Sequence, residues 1–419
     1  MSKHVLIIGG GVIGLCTAYY CAKEGNQVTL IDLNPEKRDG CSFGNAGMIV
    51  PSHFVPLAAP GMVALGLKWM WNPESPFYIQ PRLDWELIRW GVGFWRAATR
   101  ARVEQAAPLL RDLSFASREC YEELALQMTN AFGLVQRGLL MLCKTQRALD
   151  HEAKFAEQAN QLGVPAEVLN AAETMARDPD VRMDVLGSVY FPKDCHLSPN
   201  RLMEALQIQC KLLGVLFHWK TNVLHLIREA NRIISVKTSL GEIEADEIVL
   251  CGGAWSTRLA NQVGLKLPMQ AGKGYSLTLN QPRQLPKIGA IFTESRVAVT
   301  PMGDSLRFGG TMELAGLNET LNQRRVNGII KAVSKYYPEF EPDDFSGVAP
   351  WQGLRPCSPD GLPFLGRTKK FANLIVATGH AMMGLSLGPI TGQLVASIIE
   401  NKPTSIAIGL LSPDRYSTK

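Results

Sequence analysis

The sequence predicts an α/β protein in which one domain is discontinuous and a second is inserted into it in pieces. Three observations carry this prediction. An apolar run, a glycine-rich turn and a helical pattern open the chain between His4 and Lys23. A second strand–glycine junction, Cys251-Gly252-Gly253-Ala254-Trp255-Ser256, follows Ile248-Val249-Leu250. A third closes the strand Leu374-Ile375-Val376-Ala377 at Gly379, with a helical pattern from Gly388 to Glu400 behind it. An α/β unit built as one contiguous block would not return to this pattern at its far end.

The first junction is the most informative. His4-Val5-Leu6-Ile7-Ile8 reads as a buried strand. Gly9-Gly10-Gly11-Val12-Ile13-Gly14 follows, then a helix to Lys23, then Val28-Thr29-Leu30-Ile31 ending in Asp32. This is G-x-G-x-x-G in its full context of strand, turn, helix, strand and acid. Gly9 allows the tight turn, Gly11 admits a pyrophosphate, and Gly14 lets the helix pack close to the strand. Asp32 can accept hydrogen bonds from a ribose. The helix N-terminus at Val12 and Ile13 offers free N–H groups and a positive dipole end. The pattern predicts a dinucleotide site, against the alternative of a glycine-rich turn that binds nothing.

The remaining elements follow in order. Cys41-Ser42-Phe43-Gly44-Asn45-Ala46-Gly47 is small and polar, a composition that admits close approach to a ligand; the alternative is a plain connector. Apolar residues recur at helical spacing from Leu83 to Leu126, giving one long or two medium helices. Leu139 to Cys143 is a buried strand, Arg147 to Gly163 a helix, and Ser188 to Phe191 a strand. Ser198 with Pro199 marks a helix start, with Ser198 as N-cap. Short strands follow at 215–218, 223–227, 233–236 and 248–250. A β-rich set covers Gly272 to Leu279, Val297 to Thr300 and Leu306 to Thr311. Asn318 to Tyr337 is helical, and Trp351 to Gly366 is a loop dense in Gly and Pro.

Composition narrows the function classes. The chain has 419 residues and a formal net charge of +5, with Lys and Arg scattered. Nucleic acid is not expected as a partner. Nine cysteines without a C-x-x-C predict neither zinc nor a disulfide framework, and point to a reducing compartment. The start lacks a signal-peptide pattern. Two stretches without charged residues, Ser42 to Leu67 and Phe371 to Ile399, carry too much Pro or Gly for a spanning helix. Met62 to Trp71, apolar and rich in Trp and Met, reads as a packed helix or a membrane-surface segment.

Several segments together resemble the FAD-dependent oxidoreductases of the D-amino-acid oxidase and glycine oxidase superfamily. They are Gly9 to Asp32, Ser42 to Gly47, Cys251 to Ser256, Gly353-Leu354-Arg355-Pro356 with Asp360-Gly361-Leu362-Pro363, and Ala377 to His380 before Gly388 to Gly392. Gly47 to Pro51 and Leu57 to Gly61 look most like bacterial D-amino-acid dehydrogenases and D-hydroxyproline dehydrogenases. The resemblance implies a glutathione-reductase-type FAD domain over residues 1–80, 196–263 and 352–419. It implies an α+β substrate domain over 81–195 and 264–351, whose mostly antiparallel sheet roofs the flavin. It places the Val223 backbone at the adenine and Met383-Gly384-Leu385 beside the flavin ring, with Ser42, Asn45, Ala46 and Gly252 among the cofactor contacts. Asn45 stands where some relatives attach FAD through a His, so non-covalent FAD is expected. Cys357 does not match the position of a cysteinyl flavin.

The activity so implied is oxidative deamination of a small D-amino acid or D-imino acid, with hydride passing from Cα to flavin N5. The electron acceptor is a quinone or carrier, or oxygen. The expected place is the cytoplasm, with attachment to the inner face of the membrane left open. Arg355 resembles the carboxylate-binding arginine of this superfamily, and a planar guanidinium suits that role. Tyr275 and His53 are the other pocket candidates, each weighed against a purely packed role. His380, Glu313 and Lys273 rank below them. Three alternatives stay open: a glycine- or sarcosine-type oxidase, an NAD-dependent dehydrogenase, and a non-catalytic flavin-binding subunit.

Overall fold

The computed structural model describes residues 2–70 and 75–417. Its first layer is a six-stranded sheet in the order Phe364–Arg367, Leu374–Thr378, Glu247–Leu250, His4–Ile8, Gln27–Ile31 and Leu216–His218. All neighbours run parallel except the first pair. The four inner strands are buried on both faces, so they read as continuous apolar runs. Val5 and Ile7 meet one core, packed under the helices; Leu6 and Ile8 meet another, shared with Leu226, Ile233 and Val236 of a three-stranded sheet. That split is the period of two expected of a strand.

The second layer is a nine-stranded sheet. Its order is Trp351–Cys357, Gln270–Asn280, Ser305–Leu314, Val297–Met302, Gly289–Phe292, Leu139–Cys143, Gly187–Phe191 and Glu167–Asn170, with Phe77–Ile79 paired to the third strand. The helix Gln323–Tyr336 covers one face through Val326, Ile329, Val333 and Tyr336, over a core containing Leu277, Phe292 and Phe308.

Several sequence expectations are corrected here. Trp351 to Gly366 is not one loop: Trp351–Cys357 is an edge strand and Phe364–Arg367 closes the first sheet. An edge position tolerates Pro356, which has no N–H to give. The strands Phe77–Ile79 and Trp351–Cys357 both join the nine-stranded sheet, so the boundaries expected at residues 80 and 352 are displaced. The helix expected from Asn318 starts at Gln323. Ser198 precedes the helix Pro199–Leu212 but does not cap it, because its Oγ pairs with Asn200 Oδ1 at 2.8 Å. The region 83–126 resolves into two helices, Trp85–Ala97 and Arg100–Gln127. Asp84 caps the former by accepting from the Glu86 and Leu87 N–H groups.

The helix Met62–Trp69 lies with Gly66 against Phe77, while Ala64 and Lys68 are exposed. Trp71 lies outside the described residues. No helix is long and apolar enough to cross a membrane among the described residues.

The chain's two ends meet at one helix crossing. Gly388 and Gly392 of the helix Gly388–Ile399 face the helix Val12–Lys23. A Cβ on Gly392 would sit 2.5 Å from the Cys16 carbonyl carbon, and one on Gly388 would sit 3.0 Å from Val12 Cγ2. Gly392→Ala should therefore lower stability by about 1–3 kcal/mol through overpacking, read from urea unfolding. Gly91→Ala, where a Cβ meets no atom within 4 Å in a helix, should instead raise it by roughly 0.5–1 kcal/mol.

Candidate active site

The glycine turn forms as its spacing demands. Gly9 has φ +112°, and a Cβ there would lie 2.5 Å from the Cys251 carbonyl oxygen. A Cβ on Gly14 would lie 1.8 Å from the Gly9 carbonyl oxygen, so only glycine lets the helix start this close to the strand end. Cys251-Gly252 thus packs directly on the turn. The space in front of the helix is open: a Cβ on Gly11 would meet only Ser42 Oγ, at 3.5 Å. Ser42 Oγ accepts from the Val12 N–H at 3.0 Å, and the first turn carries no acid. A helix N-terminus with clear space and no competing carboxylate suits a pyrophosphate.

Asp32 closes the other side. Its Oδ2 accepts from the Gly10 N–H at 2.6 Å and its Oδ1 from the Asn34 N–H at 2.7 Å. Each oxygen keeps a second lone pair for a hydroxyl. The Thr221 N–H donates to the Asp32 carbonyl at 2.9 Å, which brings the chain leading into Val223 to this corner. Sequence reading missed two neighbours here. The Arg38 guanidinium lies 4.3 Å from the Trp219 ring centroid and donates to the Gly10 carbonyl oxygen. Trp219 approaches Gly10 so closely that a Cβ there would meet its ring at 2.9 Å.

The loop 41–47 runs from this corner to the second sheet. Asn45 Oδ1 accepts from the Gly47 N–H at 2.9 Å, a local turn bond. Ser276 Oγ donates to the Gly44 carbonyl at 3.1 Å. Arg307 donates to the carbonyls of Phe43 and Asn45 at 3.1 and 2.8 Å, and to Thr278 Oγ1 at 3.0 Å. Burial pushes Arg307 down to about 10. On the far side, Gly384-Leu385 is held by Tyr121, whose hydroxyl donates to the Leu385 carbonyl at 2.6 Å. The Val50 N–H donates to Ser386 Oγ at 3.1 Å.

Arg355 lies on the face of the second sheet that meets this loop. Residues Ser276, Gly274, Gly353 and Arg355 share that face by register. A Cβ on Gly353 would touch Cys41 Cα at 3.0 Å. The Arg355 guanidinium lies flat on Gly274, where a Cβ would fall 2.2–2.4 Å from its nitrogens and Cζ. Arg355 Nη1 donates to the Thr311 carbonyl at 2.6 Å. Thr311 has φ +64°, uncommon for a β-branched residue. That strain turns its carbonyl toward Arg355, and no sequence signal marks it. Gly274 was legible, since glycine inside a strand signals a close approach.

Tyr275 is corrected. Its neighbours in the strand face the loop, so it faces the opposite side, 1 % exposed in the core under the helix 323–336. Its hydroxyl donates to Glu313 Oε2 at 2.8 Å, and Lys273 Nζ lies 3.9 Å from Glu313 Oε1. These three form a buried polar network away from Arg355. His380 is also packed: its Nε2 pairs with Thr391 Oγ1 at 3.0 Å, and burial pulls it down to about 3. Cys357 is enclosed by Trp90, Met312 and Leu314.

His53 is half-buried and bonds Ser52 Oγ through Nδ1 at 3.0 Å. Burial, reinforced by Arg296, pulls it down to about 4, so it is a neutral imidazole near pH 7. Ser52 in turn donates to buried Asp194, from Oγ at 2.5 Å and from N–H at 3.0 Å. Sequence reading did not single out Asp194.

A strand–glycine turn–helix followed by a strand ending in an acid, and continued by a loop beneath an arginine-bearing sheet, has the geometry of a dinucleotide-binding protein of two interleaved sheets. The family model described as FAD dependent oxidoreductase matches residues 4–398. The chain belongs to this family of FAD-dependent oxidoreductases, and FAD is its cofactor. It is 32% identical to the D-amino acid dehydrogenase of Bradyrhizobium diazoefficiens, over 99% of each chain. It is 31% identical to the D-amino acid dehydrogenase of Vibrio vulnificus (strain YJ016), over 97% of this chain and 98% of that one. Glycine oxidase from Geobacillus kaustophilus shares the fold with a TM-score of 0.78 and 24% identity, covering 100% of both chains. L-proline dehydrogenase from P. horikoshii does so with a TM-score of 0.75 and 18% identity, over 99% and 98%.

Asp194 supplies a pH test. Burial raises its carboxyl to about 7 although the Ser52 donors pull the other way. The unfolded chain releases this proton near ~4, so the folded state holds it longer. The contribution to stability is complete below about pH 4 and is lost as pH rises through about 7. Asp194→Asn should remove this slope. The stability of wild type relative to the variant should fall by about 1–4 kcal/mol across that window, measured by urea unfolding at a series of pH values.

Proposed function

We propose that this oxidoreductase deaminates a small D-amino acid or D-imino acid, with Arg355 holding the substrate carboxylate. The observation that carries the reading is the setting of Arg355. Its guanidinium is fixed by the Gly274 platform and the Thr311 carbonyl. Among the described residues this is the guanidinium's one hydrogen bond, so most of its five N–H donors remain for a bidentate carboxylate. The names of the full-length relatives support the substrate class.

FAD, when bound, supplies the two-electron oxidation that turns an amine into an imine. It is held non-covalently at Gly9, Gly11, Val12, Ile13, Gly14 and Asp32, along the Ser42, Asn45 and Ala46 loop, and near Val223, Gly252, Gly384 and Leu385. The chain's own residues do the rest. Arg355 anchors and orients the substrate, and orientation carries most of the rate. His53, neutral and tethered to Ser52 beside Asp194, is too weak a base to take an ammonium proton; its uncharged imidazole instead faces an amine that has already lost its proton to solvent. Water then hydrolyses the released imino acid. A quinone or carrier, or oxygen, would take up the two electrons.

Anaerobic mixing with D-amino acids, L-amino acids, glycine, sarcosine and hydroxyproline isomers tests the substrate class. D-amino acids should bleach the flavin; bleaching by glycine or sarcosine alone would replace the reading with an amine oxidase. Arg355→Met should raise KM by roughly 10–100-fold through the lost charged hydrogen bonds and keep its flavin. Gly274→Ala should do the same in smaller measure, because the new methyl displaces the guanidinium. Normal KM in both would show that the carboxylate binds elsewhere.

A further inference from the structure

Three side chains form a line of hydrogen bonds from the His53 ring to a buried acid. His53 Nδ1 lies 3.0 Å from Ser52 Oγ, and Ser52 Oγ lies 2.5 Å from Asp194 Oδ2. The Ser52 N–H donates to Asp194 Oδ1 at 3.0 Å, so one residue grips both oxygens of the carboxyl. Ser52 is 2 % exposed and Asp194 1 %. Among the described residues, nothing else bonds the Asp194 carboxyl, and nothing bonds His53 Nε2.

A serine hydroxyl has one proton and two lone pairs, and this sets the direction of the line. When Asp194 is ionised, the carboxylate takes the Ser52 proton. Ser52 then offers His53 only a lone pair, so the imidazole carries its proton on Nδ1 and Nε2 is bare. When Asp194 is protonated, its Oδ2–H has Ser52 Oγ as acceptor. The Ser52 proton then turns to His53 Nδ1, because a buried hydroxyl proton without an acceptor is costly. One proton entering at Nε2 converts the first state into the second. Nδ1 passes its proton to Ser52 Oγ, and Ser52 passes its own to Asp194 Oδ2. Both hydrogen bonds reverse and the ring stays neutral.

We propose that Asp194 is a positioning residue for His53: acting through Ser52, it decides which imidazole nitrogen carries the proton. The ionised acid leaves Nε2 an acceptor, and the protonated acid makes it a donor. The effect on turnover rests on the proposed placement of the ring at the substrate amine. A bare Nε2 accepts from the amine N–H and leaves the nitrogen lone pair free to form the imine. An Nε2–H would bond that lone pair instead and hold it back.

The surrounding charges put the changeover in the neutral range. Arg118, on the helix Arg100–Gln127, favours the Asp194 carboxylate but is itself ion-paired with Glu122 at 2.7 Å. Burial outweighs it and raises the carboxyl to about 7. Burial and Arg296 hold His53 at about 4, so the ring is uncharged while Asp194 titrates. The Cys195 thiol, pushed up to about 12, and His196, pulled down to about 4, keep their protonation states through this range.

Nitrogen NMR of holoprotein carrying isotopically labelled histidine reads the ring directly, since a bare ring nitrogen resonates far downfield of an N–H nitrogen. His53→Gln identifies the His53 signals among the seven histidines. As pH falls through about 7, the downfield signal should pass from Nε2 to Nδ1. In Asp194→Asn and Ser52→Ala the tautomer should not change with pH. Below the same pH, wild-type kcat/KM should fall about tenfold per pH unit more steeply than that of Asp194→Asn. A wild-type tautomer that stays constant across this pH overturns the proposal, as does a switch that persists in Asp194→Asn. A switch without the steeper kinetic limb would uphold the relay and remove His53 from the substrate amine, so the two readings fail separately.

Discussion

The backbone contact between the helix Val12–Lys23 and its surroundings is the constraint on which the rest of the structure hangs. Below it, Gly14 rests on the Gly9 carbonyl; beside it, Gly392 rests on Cys16. A methyl group at either place would collide with backbone, which cannot turn aside as a side chain can. The first contact sets the angle at which the helix leaves the sheet, and so where its N-terminus points. The second brings residues from the far end of the chain against the first helix. The segment 384–386 can then meet Val50 and Tyr121, near the loop that the same helix end holds through Ser42.

The two sheets share one buried core, with Val5 and Ile7 of the first in the same cluster as Leu139, Met141, Val189 and Phe191 of the second, and polar bonds add a second join. Arg307 is the clearest example. Its donors go to two carbonyls of the loop 41–47 and to the Thr278 hydroxyl, and burial weakens its hold on its proton. Ser276 adds a bond to Gly44 from the neighbouring strand. A loop rich in Gly, Ser and Asn has backbone groups that need partners, and the second sheet supplies them. The same sheet face carries Arg355, so the clamp that fixes the loop also fixes its distance from Arg355.

Much of this was legible in the sequence, for definite reasons. Steric rules fix the meaning of Gly9, Gly11 and Gly14, so the turn could be read from its spacing. Strands buried on both faces were visible as apolar runs such as Leu139–Cys143 and Leu374–Thr378. The reading failed where local signals were weak or shared between two states. Trp351 to Gly366 looked like a loop because Gly and Pro are turn residues; an edge strand tolerates both, and pairing with a distant strand decides the matter. Tyr275 looked like a pocket residue beside Gly274. Which of two neighbours in a strand faces the site depends on register, and one residue's difference reverses the answer.

By itself the sequence determined the glycine turn ending at Asp32, the return of the chain to it, and Arg355 as a candidate anchor. These are local patterns enforced by backbone sterics and by the chemistry of a guanidinium. Only the tertiary structure decided which residues face one another: Asp194 with Ser52 and His53, the strained Thr311 carbonyl with Arg355, Tyr275 turned into the core, and Trp85 and Trp95 turned out of it. Each pairing joins segments far apart in the chain or the two faces of one element. Apolar content marks a residue for burial without saying against what, and only packing shows which stripe was left uncovered.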